Sequence, residues 1–99
     1  MTITNEQNSK TMVLHIEGRL DTITSPEFEK AVHALPEEIT DLTLDMKEVT
    51  YVSSAGLRVL LAAQKKMGKV GSMKLTGVCE SVLEVLEMTG FADILKIEQ

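Results

Sequence analysis

The 99-residue sequence has few aromatic residues and a single cysteine. Its aromatic residues are Phe28, Tyr51 and Phe91, and three scattered rings do not form the stacking platform on which nucleic-acid bases bind. Cys79 has no second cysteine with which to form an internal disulfide, so the sequence shows no sign of an oxidising, secreted environment. Because the first ten residues are mostly polar and do not resemble a signal peptide, we expect a cytoplasmic protein.

Basic residues and long apolar runs are also scarce. Ten Lys and Arg stand against fifteen Asp and Glu, which gives a net charge of −5. Phosphate backbones repel a chain of this charge, so we expect no direct binding to nucleic acid. No stretch approaches the roughly 20 apolar residues of a membrane-spanning helix, so we expect no membrane insertion. The hydrophobic fraction of 43% is that of an ordinary globular domain with a core of its own.

The residue sets that carry common enzyme chemistry are missing. His15 and His33 lie far apart in the sequence and lack the partners of a zinc motif, and no glycine-rich phosphate loop is present. Ser54 is not part of a nucleophile elbow, because Val52 stands where that motif requires glycine. We therefore expect no metal site, no cofactor and no enzymatic activity.

The N-terminal segment has the pattern of a β-hairpin. Thr11 to Gly18 alternates apolar and polar residues, as a half-buried strand does. Thr2 to Thr4 is β-prone, and we predict that it pairs back onto this strand across a turn at Asn5 to Lys10.

Helical and strand patterns alternate along the rest of the chain. The predicted elements are a helix that starts at Ser25-Pro26-Glu27 with the serine as cap and ends at Pro36, a strand at residues 42–46, a helix from Ser54 to the glycines at 68 and 71, a strand at 73–75, a helix at 80–88 and a strand at 94–97. Such alternation indicates βαβ units. We expect an α/β fold in one domain over residues 1–99, with a mixed, mostly parallel sheet of four to five strands and helices packed on it.

Two adjacent serines, Ser53 and Ser54, stand where a strand pattern gives way to a helical one. The first N–H groups of a helix lack intrahelical acceptors and carry the positive end of the helix dipole, so a serine there can cap the helix or carry a phosphate. Arg58 follows one turn after Ser54 on the same face, where it can pair with a phosphate, pair with an acidic partner or lie in solvent. Asp21 and Asp45 are expected near strand ends at the same edge. On spacing alone, an alternative interpretation is that either serine only caps the helix and that each aspartate only caps a turn.

Four motifs, in order, resemble those of the STAS-domain anti-sigma-factor antagonists, a family of bacterial regulators. Gly18-Arg19-Leu20-Asp21 resembles the family's G-x-L-D turn and Leu42 to Asp45 its central strand. Val49 to Leu61 is similar to the segment around the family's phosphorylated serine, and Met88 to Phe91 to the M-x-G motif before its last strand. The resemblance covers nearly the whole chain.

The resemblance implies a STAS domain that acts as an anti-sigma-factor antagonist. In that family the unphosphorylated antagonist binds an anti-sigma factor that is also a serine kinase, and the sigma factor is released. Phosphorylation ends the binding, and a serine phosphatase of the PP2C type restores it. Ser54 is the implied phosphorylation site. Ser53 is the alternative, because it places a competing hydroxyl where many members have aspartate. The implied partner-binding residues are Asp21, Ser53, Ser54, Ala55, Gly56 and Arg58.

Charge indicates how such a switch would work. A phosphate adds about −1.5 to −2 charges, and a helix N-terminus can accommodate it locally. We therefore expect a change at the interface and not a conformational one. An alternative hypothesis stays open, because lone STAS domains also resemble unphosphorylated adaptor subunits of transport or lipid-trafficking complexes. Neither hypothesis fixes an oligomeric state.

Overall fold

The computed structural model describes residues 1–99 as five strands, three α-helices and one short 3-10 helix. The strands are β1 (Thr2–Asn8), β2 (Thr11–Leu20), β3 (Asp41–Val52), β4 (Ser72–Thr76) and β5 (Lys96–Glu98), the helices are α1 (Ser25–His33), α2 (Ser54–Gly68) and α3 (Glu80–Met88), and the 3-10 helix is Phe91–Asp93. The strands form one sheet in chain order, in which β1 is antiparallel to β2 and the remaining pairs are parallel. The predicted α/β fold with a mixed, mostly parallel sheet is confirmed.

The three helices cover one face of the sheet. The strand order never reverses, and right-handed crossovers that all advance in one direction place every helix on the same side. Leu14, Leu44 and Leu75 pair across three neighbouring strands and are at most 2% exposed. Thr43 and Lys74, on the opposite face, stay half-buried. The core therefore lies between the helices and this one face, and no helix combines the length and apolarity that a membrane crossing requires.

The predicted turn at Asn5 to Lys10 is wrong over most of its length. β1 continues to Asn8 in unbroken register with β2, and only Ser9 and Lys10 form the turn. β1 is an edge strand whose side chains are mostly exposed. Because both faces of such a strand tolerate polar residues, no apolar alternation reveals it in the sequence.

β3 extends beyond the alternation at Leu42 to Met46. Two register shifts against β2 each insert an extra β3 residue. Up to Met46 every second residue is buried, whereas the next buried residues, Val49 and Val52, are spaced three apart. Bulges of this kind break the two-residue period of a strand. The segment predicted as a short link is therefore strand, and it leads directly into Ser53.

Three other elements begin one or two residues from the predicted positions. β4 begins at Ser72, one residue early. Thr24 is the N-cap of α1, so Ser25 is the first helical residue and is buried. Ile94 caps the 3-10 helix, with its N–H donating to the carbonyl of Phe91 at 3.0 Å. β5 consequently begins at Lys96.

Candidate functional site

The two serines have different places at the start of α2. Ser53 is the N-cap: its Oγ accepts the N–H of Gly56 at 3.2 Å, and its carbonyl accepts the N–H of Leu57 at 2.8 Å. The N–H of Ser53 donates to the carbonyl of Leu20 at 2.9 Å, which ties the helix start to the end of β2. Ser54 is the first helical residue. The hydroxyl of Ser53 is thus engaged in the fold.

Gly56 allows the first turn of α2 to lie against the end of β2. A Cβ at this position would lie 2.6 Å from the carbonyl oxygen of Leu20 and 3.0 Å from the side chains of Leu20 and Val52. Gly56 is buried. Among the predicted partner-binding residues it therefore supports the site from the core side, whereas Ser54 and Arg58 are exposed.

The exposed surface at the start of α2 presents groups that suit an anion. The Ser54 side chain is exposed, and Arg58, one turn later, is exposed and forms no ion pair. The first N–H groups of a helix have no intrahelical acceptor. The Ser53 Oγ accepts the N–H of Gly56, so the N–H groups of Ser54 and Ala55 remain available to an anion. None of the surface cavities is lined by these residues, so the site lies on an open surface.

Asp21 lies beside this helix start but is used mainly within its own loop. It follows Leu20 directly, and its Oδ1 accepts the N–H groups of Ile23 and Thr24, each at 3.0 Å. The hydrogen bond from the N–H of Thr24 is the main cause that lowers the pKa of the Asp21 carboxyl. Its Oδ2 lies 3.6 Å from Nε of Arg19. The carboxylate therefore shapes the turn between β2 and α1.

Sequence reasoning missed a stacked pair at this edge. The guanidinium of Arg19 lies 4.2 Å from the ring centre of Tyr51, and the two residues are register partners on β2 and β3. Such cation–π contacts are favourable. The pairing depends on the second register shift in β3, which the sequence does not reveal. Strand alternation alone therefore does not bring these residues together.

Asp45 does not share this edge with Asp21, so that prediction is wrong. Asp45 precedes Val52 by seven residues of the same strand, and at about 3.3 Å per residue this separates it from the helix start by roughly 20 Å. Its Oδ2 instead lies 2.7 Å from Nδ1 of His15. The error follows from the unexpected length of β3, because a strand that ended near Met46 would have placed Asp45 at its end.

His15 bridges two carboxylates on the uncovered face of the sheet. Its Nδ1 faces Asp45 at 2.7 Å and its Nε2 faces Oε1 of Glu6 at 2.8 Å. The hydrogen bond with Asp45, followed by that with Glu6, raises the pKa of His15. Burial raises the pKa of Asp45, but hydrogen bonds from His15 and the N–H of Lys47 outweigh it and lower that pKa. No group of three His, Cys, Asp or Glu side chains could hold a metal ion.

We expect the His15 cluster to make stability depend on pH. Because the pKa of His15 is raised above its ordinary 6.5, its contribution is complete below that pH and is lost as the pH rises through the folded-state pKa. Half-exposed pairs of this kind contribute about 0.2–1 kcal/mol each. Urea unfolding of wild type and His15→Gln should therefore differ most in mildly acidic buffer and least in alkaline buffer. A difference that does not change with pH would contradict this assignment.

Comparison with known proteins identifies the family. Residues 2–99 match the family model described as the STAS domain. An anti-sigma-B factor antagonist of Bacillus subtilis is 31% identical over 93 residues, which are 93% of this chain and 85% of that protein. The crystal structure of an anti-sigma factor antagonist from Mycobacterium paratuberculosis superposes with a TM-score of 0.86 at 24% identity, covering 97% of this chain and 83% of that one.

The fold also occurs in a transport-related protein. The structure of a sulfate transporter family protein from Wolinella succinogenes has a TM-score of 0.79 at 20% identity, covering 89% of this chain and 75% of that one; this likeness is one of fold alone. The relatives similar in sequence carry the names of anti-sigma-factor antagonists. The family model spans almost the whole sequence, and the chain therefore belongs to the STAS domain family.

Proposed function

We propose that the chain is an anti-sigma-factor antagonist, which binds an anti-sigma factor through the surface at the start of α2 and thereby frees a sigma factor. The observation that carries this proposal is the exposed Ser54 at the first position of α2, on an open surface. Small-molecule sites are usually concave, so an open surface of this kind suits a protein partner. The name of the Bacillus subtilis relative supports the class of partner. The proposal places the chain in the cytoplasm, where sigma factors act.

In this proposal the anti-sigma factor is also a serine kinase that phosphorylates Ser54, and a serine phosphatase of the PP2C type removes the phosphate. A phosphate on Ser54 would add about −1.5 to −2 charges to the binding surface. The N–H groups of Ser54 and Ala55 and the guanidinium of Arg58 can stabilise that charge without unfolding the helix. The phosphate would then weaken partner binding by repulsion and by its cost of desolvation.

Ser54 suits the role of acceptor better than Ser53. Phosphorylation of Ser53 would disturb the hydrogen bond that its Oγ accepts from Gly56. Aspartate caps helices as well as serine does, so the aspartate that many family members have at this position would serve the same capping role. Serine at position 53 is therefore a conservative replacement, and the exposed hydroxyl of Ser54 remains for modification.

A pull-down with the tagged chain tests this proposal. We expect an anti-sigma factor with a kinase domain to be recovered by the unmodified chain and by Ser81→Asp, which places a charge in the first turn of α3 instead of α2. Ser54→Asp should recover less of it. Recovery of an ATPase subunit of a transport or lipid-trafficking complex, with no loss in Ser54→Asp, would contradict the proposal and support the adaptor hypothesis.

A further inference from the structure

The loop between β2 and α1 holds an apolar side chain out into solvent. Ile23 is 87% exposed, whereas most large apolar residues of the chain are buried in the core. A single exposed apolar residue is common on protein surfaces. Ile23 is unusual because the loop that carries it is fixed by an internal network of hydrogen bonds.

Asp21 and Thr24 form that network. Oδ1 of Asp21 accepts the N–H groups of Ile23 and Thr24 at 3.0 Å, and the N–H of Asp21 donates to Oγ1 of Thr24 at 2.9 Å. The Thr24 hydroxyl donates to the carbonyl of Arg19 at 2.6 Å, and the carbonyl of Asp21 accepts the N–H of Ser25 at 2.8 Å. A side chain presented from a fixed backbone loses less conformational entropy when it binds.

The loop lies beside the start of α2. It follows Leu20, whose carbonyl accepts the N–H of Ser53. The stacked pair of Arg19 and Tyr51 lies one residue before the ends of β2 and β3, and Tyr51 is 43% exposed. Tyrosine and arginine are enriched among the residues that dominate binding energy in protein interfaces. Ile23, Tyr51 and the two serines therefore all lie at or just beyond the carboxyl ends of β2 and β3.

Charge at this edge indicates the chemistry of the partner. Arg19 lies 3.6 Å from the Asp21 carboxylate but keeps 61% of its side chain exposed. Arg58 is exposed and pairs with no carboxylate, although the chain as a whole carries a net charge of −5. Complementary potentials favour specific association. A partner surface that fits this edge has an apolar pocket with carboxylates at its rim.

We infer that Ile23 is an anchor that inserts into an apolar, carboxylate-rimmed pocket of the anti-sigma factor, and that Asp21 is a positioning residue that fixes the loop without contacting the partner. The inference rests on the proposed function, because that function supplies the partner. It differs from the sequence-based expectation for Asp21, which assigned the aspartate itself to partner binding.

The test uses the anti-sigma factor that the wild-type chain recovers, with affinities measured by calorimetry. Ile23→Ser and Asp21→Ala should each bind about tenfold more weakly or worse. Asp21→Asn should bind like wild type, because the amide oxygen still accepts the two loop N–H groups. Val70→Ser, which changes another exposed apolar residue (54% exposed) in the loop after α2, should also bind like wild type.

Two further measurements separate positioning from contact. Hydrogen exchange at the Ile23 and Thr24 amides should accelerate in Asp21→Ala and stay slow in Asp21→Asn. The double variant Asp21→Ala/Ile23→Ser should bind within about twofold of whichever single variant binds more weakly, because both changes remove the same contact.

Three results would overturn the inference. Wild-type affinity in Ile23→Ser would show that the isoleucine is no anchor, while the proposed function would stand. Equal damage from Asp21→Asn and Asp21→Ala would show that the charge of Asp21 contacts the partner. Failure of the wild-type chain to recover any anti-sigma factor would overturn the inference together with the proposed function.

Discussion

Ser54→Ala is expected to abolish phosphate incorporation when the chain is incubated with its anti-sigma factor kinase and ATP. The loss should be complete, because the proposed acceptor hydroxyl is removed. Partner binding should persist, since alanine adds no charge to the binding surface and the Ser54 side chain is exposed, outside the core. Mass spectrometry of the labelled chain and a binding titration measure the two properties separately.

Ser53 supplies the matched control for this experiment. Ser53→Ala should keep the label but lower the free energy of unfolding by about 1 kcal/mol, because the helix loses its capping oxygen. Ser53→Asp should keep both the label and the stability, since aspartate restores the acceptor for the N–H of Gly56. A label that survives in Ser54→Ala and disappears in Ser53→Ala would move the modification to Ser53.

Gly56→Ala is expected to lower the free energy of unfolding, against the usual trend for helices. Glycine to alanine within a helix ordinarily stabilises by about 0.5–1 kcal/mol. The added Cβ would lie 2.6 Å from the backbone carbonyl of Leu20, and overpacking of this kind costs about 1–3 kcal/mol or more. That carbonyl also accepts the N–H of Ser53, so relief of the clash would displace the start of α2. We expect a net loss of about 1–2 kcal/mol in urea unfolding, together with weaker partner binding.

Gly68→Ala is the control at the other end of the same helix. The nearest atom to its Cβ would be Nε2 of Gln64, at 4.0 Å, so alanine meets no clash there. We expect this variant to gain a few tenths of a kcal/mol to about 1 kcal/mol. If Gly56→Ala gained stability as Gly68→Ala does, the close approach of α2 to β2 would not be the reason for glycine at position 56.

The elements that periodicity predicts well are those with one buried and one exposed face. β2, whose Met12, Leu14 and Ile16 are buried in alternation, and α3, which has the predicted bounds Glu80–Met88, are examples. Periodicity carries no signal for β1, because an edge strand with polar faces buries little. It also misleads in β3, where the bulges change the spacing of buried residues.

The same physics limits what the sequence tells about the site. The serine junction is visible locally, because cap residues and a helical pattern adjoin in the sequence. The place of Asp45 and the stacking of Arg19 on Tyr51 depend on the register between strands, which no local pattern encodes. The role of Asp21 depends on side-chain hydrogen bonds to Ile23 and Thr24, so the sequence indicates a turn residue but not the side chain that the turn presents.

The affinity of the anti-sigma factor for the chain before and after phosphorylation at Ser54 tests the central claim most directly. Calorimetric titration should show binding at least about tenfold weaker for the phosphorylated chain, because the added charge lies in the interface. Amide chemical shifts should change only around the start of α2 and the neighbouring loop, since the fold is expected to persist. Equal affinities of the two forms would contradict an electrostatic switch at Ser54.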